Sequence, residues 1–162
     1  MNGKLSDVVL VIGLGSPIMS DDAIGLRVVD AIDAMNLNNV ETRQEAIGGL
    51  DIIPMIVGYR NVIIVDAIIT GACDPGTVII FDPSDFEPTV ANASAHEFNL
   101  ATAMKIGKQL EPDMMPETVR FIAIEVSDIM TVSEKMTDAI EKALPNAVDA
   151  VVEMINDMLT SE

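Results

Sequence analysis

Along the chain, apolar residues fall into two recurrent patterns, short continuous runs and longer stretches with helical spacing, and the alternation of the two predicts the fold. Val8 to Ile12 is an unbroken β-branched and aliphatic run, as expected of a strand buried on both faces. A glycine-containing turn hands over to a helix predicted from about Asp21 to Met35, with Ile24, Val28, Ala31 and Ile32 at helical spacing and Ser20 as N-cap. Val40 to Ala46 alternates and reads as a less buried strand. Leu50 to Val57 reads as a short helix with Pro54 near its start, where a missing amide matters little. Asn61 to Val65 is a second buried strand that ends at Asp66.

The turn signal Ala72-Cys73-Asp74-Pro75-Gly76 precedes a strand over Thr77 to Phe81, too close behind for a helical crossover, so that strand is expected antiparallel to its predecessor. Asp82 to Asn92 reads as a loop and Ala95 to Leu110 as a helix. Glu111 to Glu117 is a second loop and Thr118 to Val126 a strand. Ser133 to Leu159 is helical, with a break or restart expected at Pro145. This order predicts an α/β fold, one domain over residues 1–162. It is a three-layer α/β/α sandwich around a roughly five-stranded, mostly parallel sheet with one antiparallel strand.

Composition narrows the partners more than the fold. Nine Lys and Arg against 26 Asp and Glu give a net charge of -17. That charge opposes nucleic acid and anionic lipid surfaces. The apolar stretches between Ile47 and Ile69 are interrupted by Asp51, Arg60 and Asp66, so no membrane span is expected. Lys4 and the run after it superficially resemble a signal peptide but lead straight into folded-looking sequence, so they are read as a strand. The single cysteine, Cys73, fits a reducing cytosol, and packing is its expected role. With 3% aromatic residues and 11 methionines, the core is expected to be aliphatic and thioether-filled.

Three chemistry-bearing residues stand where such a fold presents side chains to ligands. Asp22 opens the first helix after the run Gly13-Leu14-Gly15-Ser16-Pro17-Ile18-Met19-Ser20-Asp21, Asp66 ends a buried strand, and His96 opens a later helix. Ligands of open α/β sheets bind at the carboxyl ends of the strands. Two carboxylates and an imidazole make a mixed oxygen and nitrogen set suited to a divalent transition metal with open coordination positions. Reaching His96 requires the Asp82 to Ser94 loop to cross back over the sheet, which about 3.3 Å per extended residue permits. Asp21 is a secondary candidate, for orienting the site or for capping the helix.

Competing readings carry less. Gly13-x-Gly15 lacks the third glycine of a dinucleotide fingerprint, with Ile18 in its place, and the adjacent carboxylates repel a pyrophosphate. A Ser-His-Asp hydrolase using Ser16 or Ser20 lacks the nucleophile elbow, and a thiol protease using Cys73 lacks any family signature. Two further readings stay open: a non-catalytic metal-binding module, and a response-regulator receiver with Asp66 as phosphoacceptor. The second is opposed by the glycine-rich insertion and by Glu125-Val126-Ser127-Asp128 standing where a lysine is needed.

Taken together, the motifs resemble those of the hydrogenase maturation proteases, endopeptidases that trim the C-terminal extension from the nickel-containing large subunit of NiFe hydrogenases. The resemblance runs nearly end to end. Gly13-x-Gly15 with Asp21-Asp22 and Gly25 is similar to the N-terminal signature, Val65-Asp66-Ala67 with Pro75-Gly76-Thr77 to the central motif, and Ser94-Ala95-His96 to the histidine motif. Ala143-Leu144-Pro145 is similar in character to the C-terminal segment. Departures are Ser16 in place of the usual Asn, a glycine segment reduced to Ala46-Ile47-Gly48-Gly49, and Val126 near the place of a usual Pro. The resemblance implies that Asp22, Asp66 and His96 are the metal-binding and catalytic set of a cytoplasmic peptidase whose partner is the hydrogenase large-subunit precursor. Nickel would be supplied by that substrate, and other divalent transition metals could occupy the same site. Two roles for the metal stay open, Lewis acid and recognition device.

Overall fold

The computed structural model describes residues 5–46, 49–82 and 95–161, with the backbone alone for 49–50 and 95–101. Strand β1 (Ser6–Leu14) is followed by a 3-10 turn (Ser20–Ala23) and helix α1 (Ile24–Ala34). Strand β2 (Val40–Glu45) is followed by a second 3-10 turn (Gly49–Ile52) and the one-turn helix α2 (Ile53–Ile56). Strands β3 (Tyr59–Ile68) and β4 (Val78–Phe81), helix α3 (Ala95–Leu110), strand β5 (Thr118–Glu125) and helix α4 (Asp138–Thr160) complete the chain. The five strands form one sheet in the order β2-β1-β3-β5-β4. All neighbours are parallel except β4, which pairs antiparallel with β5.

Alternate residues of the buried strands feed two cores, as period-two geometry requires. Val9 and Val11 face α1 and α4 with Val28, Ile32, Ile140 and Val151. Leu10 and Ile12 face the other side with Ile56 of α2 and Ala103 and Met104 of α3. The three-layer sandwich is therefore present. Thioethers do fill gaps in it: Met55, Met104, Met115, Met136 and Met158 are all buried.

Several expectations shift. The first helix begins as a 3-10 turn, and Ser20 is not its cap: Met19 occupies that place, while Ser20 takes a left-handed φ of 49°. The β3 strand does not stop at Asp66; it continues to Ile68, paired in register with β5 through Ile68↔Glu125. Backbone pairing is indifferent to the polarity of one side chain, so a carboxylate does not end a strand whose neighbour continues. The β4 strand has the expected antiparallel direction but pairs with β5, not with its predecessor. Cys73, expected to pack, is exposed.

The last helix starts at Asp138 instead of Ser133 and runs unbroken past Pro145. Pro145 is exposed, so the carbonyl of Glu141, deprived of its amide partner, faces water and the cost is tolerated. Pro145→Ala should restore that bond. A gain of about 3 kcal/mol in helix propensity, less the ~0.4–1 kcal/mol that proline removes from unfolded-state entropy, predicts stabilisation by about 2 kcal/mol. Denaturant unfolding checks this through a higher midpoint at unchanged slope.

Candidate functional site

The sheet order creates a topological switch point: the chain leaves β1 to reach β2 on one side and later returns to β3 on the other. Between the carboxyl ends of two such strands a crevice opens. Here the β1–β3 and β3–β5 ladders end at different heights. Pairing of β1 with β3 ends at Gly13↔Val65, whereas β3 continues beside β5 for three further residues, the first of them Asp66. Asp66 thus lies one residue beyond the last rung of the β1 ladder, half-buried, with its Oδ1 accepting the Ala67 N–H at 2.8 Å.

Asp22 reaches the same crevice from β1. It sits in the 3-10 turn that packs on β3, half-buried, and its Oδ2 accepts the backbone N–H of Ser16 at 2.8 Å. Glycines make the tight return of the chain possible. Gly15 has φ +145°, and a Cβ there would collide with the carbonyl of Asp22. A Cβ on Gly25 would lie 2.5 Å from both the Leu14 and the Val65 carbonyl oxygens. The start of α1 therefore rests directly on the ends of β1 and β3, beside Asp66.

His96 is the second residue of α3. That helix ends where the 111–117 loop enters β5, and the loop is bonded to the start of β3 through Gly58 N–H to Met114 O and Glu117 N–H to Arg60 O. The helix therefore begins toward the carboxyl edge and runs to the amino edge, and it packs on the turn that follows β2. The backbone of His96 is on the Asp22 and Asp66 side of the sheet. Its side chain, the loop 83–94 that precedes it, and Ile47 and Gly48 of the glycine segment lie outside the described residues. Among the described residues no group of three His, Cys, Asp or Glu side chains stands ready for a metal. The two aspartates nonetheless suit one chemically, as half-buried oxygen donors, one on the turn after β1 and one in the last residues of β3, each already oriented by a backbone N–H.

A model of the hydrogenase maturation protease family matches residues 26–154. The chain belongs to that family. The matched stretch includes Asp66 and His96 but begins after Asp22. The hydrogenase 2 maturation protease of Escherichia coli K12 is 28% identical over 99 residues, 59% of this chain and 60% of that relative's length. The E. coli hydrogenase maturating endopeptidase HybD superposes with a TM-score of 0.76 over 93% of each chain at 22% identity, a likeness of fold. A hydrogenase 2 maturation peptidase from a Thaumarchaeota archaeon superposes at 0.66, with 28% identity over 91% of this chain and 97% of that one.

Against the family pattern, Ser16 in place of Asn leaves the contact to Asp22 intact, because it is the backbone amide that donates. Asp21 turns away from Asp22 into complete burial. Its Oδ1 accepts Thr137 N–H (2.7 Å) and Thr137 Oγ1 (2.9 Å), and its Oδ2 accepts Asp128 N–H (3.1 Å) with longer bonds from Ser127. Thr137 is the N-cap of α4, so a carboxylate from a distant turn complements that helix dipole. Asp128 itself is held below the usual carboxylate range by the Thr131 hydroxyl, then by the Thr131 and Met130 amides.

Sequence reasoning missed one group of consequence. Glu125, flagged only as a residue where a receiver needs lysine, is 2% exposed and accepts Thr70 N–H and Gly71 N–H, both at 2.9 Å, and Thr70 Oγ1 at 2.8 Å. A buried, fully engaged carboxylate in that place is the opposite of a phosphate-stabilising cation. The signal was a Glu ending an apolar strand, which, like Asp66, requires partners. A cavity of about 450 Å³ that includes Arg60, Glu117, Arg120 and Asp157 lies at the amino ends of β3 and β5, away from this site.

Proposed function

We propose that this chain is the endopeptidase that removes the C-terminal extension from the nickel-loaded large-subunit precursor of a NiFe hydrogenase, with Asp22, Asp66 and His96 as its metal-contacting and catalytic set. The observation that carries the reading is that Asp22, on the turn between β1 and α1, and Asp66, one residue past the last β1–β3 rung, both adjoin the place where Gly25 rests on the Leu14 and Val65 carbonyls, in a chain of the maturation protease family. The backbone of His96 on the same edge supports it.

Peptide hydrolysis needs a water deprotonated as it attacks and a leaving amine that receives a proton. A half-buried carboxylate beside the scissile bond can carry that proton from one to the other. A precursor-borne nickel, when bound, would polarise the carbonyl or mark the substrate as ready. The chain's part is to bring oxygen donors at fixed spacing to a metal that already has ligands in the precursor, so its own affinity for the free ion need not be high. The net charge of -17 and the absence of a membrane-spanning helix among the described residues suit a protein substrate met in the cytoplasm.

The test is incubation of the purified chain with its cognate precursor, read by the shift to a shorter large subunit on electrophoresis. A parallel arm offers a small phosphodonor. Shortening without phosphorylation of Asp66 is the expected result; stable phosphorylation without shortening would replace this reading by the receiver.

A further inference from the structure

Two buried carboxylates, neither placed in the reacting set, each anchor one of the acid-bearing segments, and both do so to the same stretch of chain. Asp21 ties the turn that carries Asp22 to Ser127, Asp128 and Thr137. Backbone bonds run parallel to it: Asp21 N–H to Asp128 O at 2.9 Å, Ser20 N–H to Ser133 O at 2.9 Å, and Ser133 N–H to Ile18 O at 3.0 Å. Glu125 ties the end of β3 through Thr70 and Gly71, beside the bond from Val126 N–H to Ile68 O at 2.9 Å. Beyond Val65 the β3 strand has no β1 neighbour, so β5 is its sheet partner where Asp66 stands.

From this we infer that Asp21 and Glu125 are positioning residues, which reference Asp22 and Asp66 to one common frame, segment 125–137, and thereby set the spacing of the two reactive carboxylates. The inference rests on the reading of Asp22 and Asp66 as the reactive pair. Removing either clamp leaves buried N–H and O–H donors without their charged acceptor, which loosens the tethered turn before it loosens the sheet. A misplacement of about 1 Å at the reacting groups costs on the order of 100-fold in rate.

Two amides report the position of the reactive carboxylates without any substrate: Ser16 N–H, held by Asp22, and Ala67 N–H, held by Asp66. Amide exchange by NMR on the full chain is the experiment. In Asp21→Asn, and in the gentler Thr137→Val, Ser16 should exchange at least about 10-fold faster, while Val11 and Ile63 in the central strands keep their protection relative to one another. Glu125→Gln and Thr70→Val should do the same to Ala67. Thr137→Ser, which keeps the hydroxyl, should behave as the unaltered protein. Precursor cleavage should show kcat down by about 10-fold or more with KM held, because the substitutions alter the spacing of the reacting groups and no other surface.

Exchange at Ser16 and Ala67 that rises no more than in the central strands overturns the inference, as does an unchanged kcat. If the unaltered chain cleaves no precursor, the protease reading fails by itself, and the amides still decide whether the two clamps position Asp22 and Asp66.

Discussion

Asp66→Asn should lose precursor cleavage by on the order of a hundred- to ten-thousandfold in kcat/KM while melting close to the unaltered protein. The substitution keeps the shape of the side chain and an oxygen able to accept the Ala67 N–H, so that bond is preserved. It removes the negative charge and the basicity that metal contact and proton transfer require. Asp22→Asn, which likewise keeps an acceptor for Ser16 N–H, should fall in the same range, as should His96→Ala. Pairwise combinations should cost little more than the worst single change, because groups acting on one bond are not additive. Time courses of precursor shortening, with thermal unfolding on the same samples, measure both sides. Retention of more than about a tenth of the cleavage rate in both aspartate variants would remove them from the reacting set.

Gly25→Ala should damage both fold and site. The added methyl would stand 2.5 Å from two backbone carbonyl oxygens, those of Leu14 and Val65, where ordinary carbon to oxygen contacts are about 3.3–3.6 Å. Neither oxygen can swing aside, since both belong to the ends of central strands, so α1 must lift off the sheet. Overpacking of this kind costs about 1–3 kcal/mol or more. For a domain of this size that lowers the melting temperature by roughly 2–4 °C per kcal/mol, or about 2–12 °C here. Cleavage measured well below the new midpoint should drop further than the folded fraction does, because Asp22 rides on the displaced turn and Asp66 directly follows Val65. Unchanged melting would mean that the helix start is not pressed on the strand ends as described.

What could be read from the sequence was whatever burial writes locally. Val9 to Ile12 and Val62 to Val65 are unbroken apolar runs because both faces of those strands meet a core, and the bounds of α3 were as expected. Asp22, Asp66 and His96 stood out as candidates because a polar residue at the end of an apolar run, or at a helix start, is conspicuous. Features that depend on distant partners were not. The end of β3 is fixed by β5, 57 residues along the pairing Ile68↔Glu125. The Asp21 clamp joins residues 106 to 116 positions apart, and Glu125 reaches back 55 to Thr70. Pro145 misled because its effect depends on which face of α4 it occupies, and on the solvent face the helix continues.

The most direct measurement is the intact mass of a cognate large-subunit precursor after incubation with this chain, nickel-loaded in one arm and nickel-free in the other. One defined C-terminal peptide should be lost from the nickel-loaded precursor alone, with none lost when Asp66→Asn replaces the unaltered chain. A precursor of unchanged mass in both arms, with the chain folded and the nickel confirmed, would rule out the processing protease and leave a binding module on the same fold.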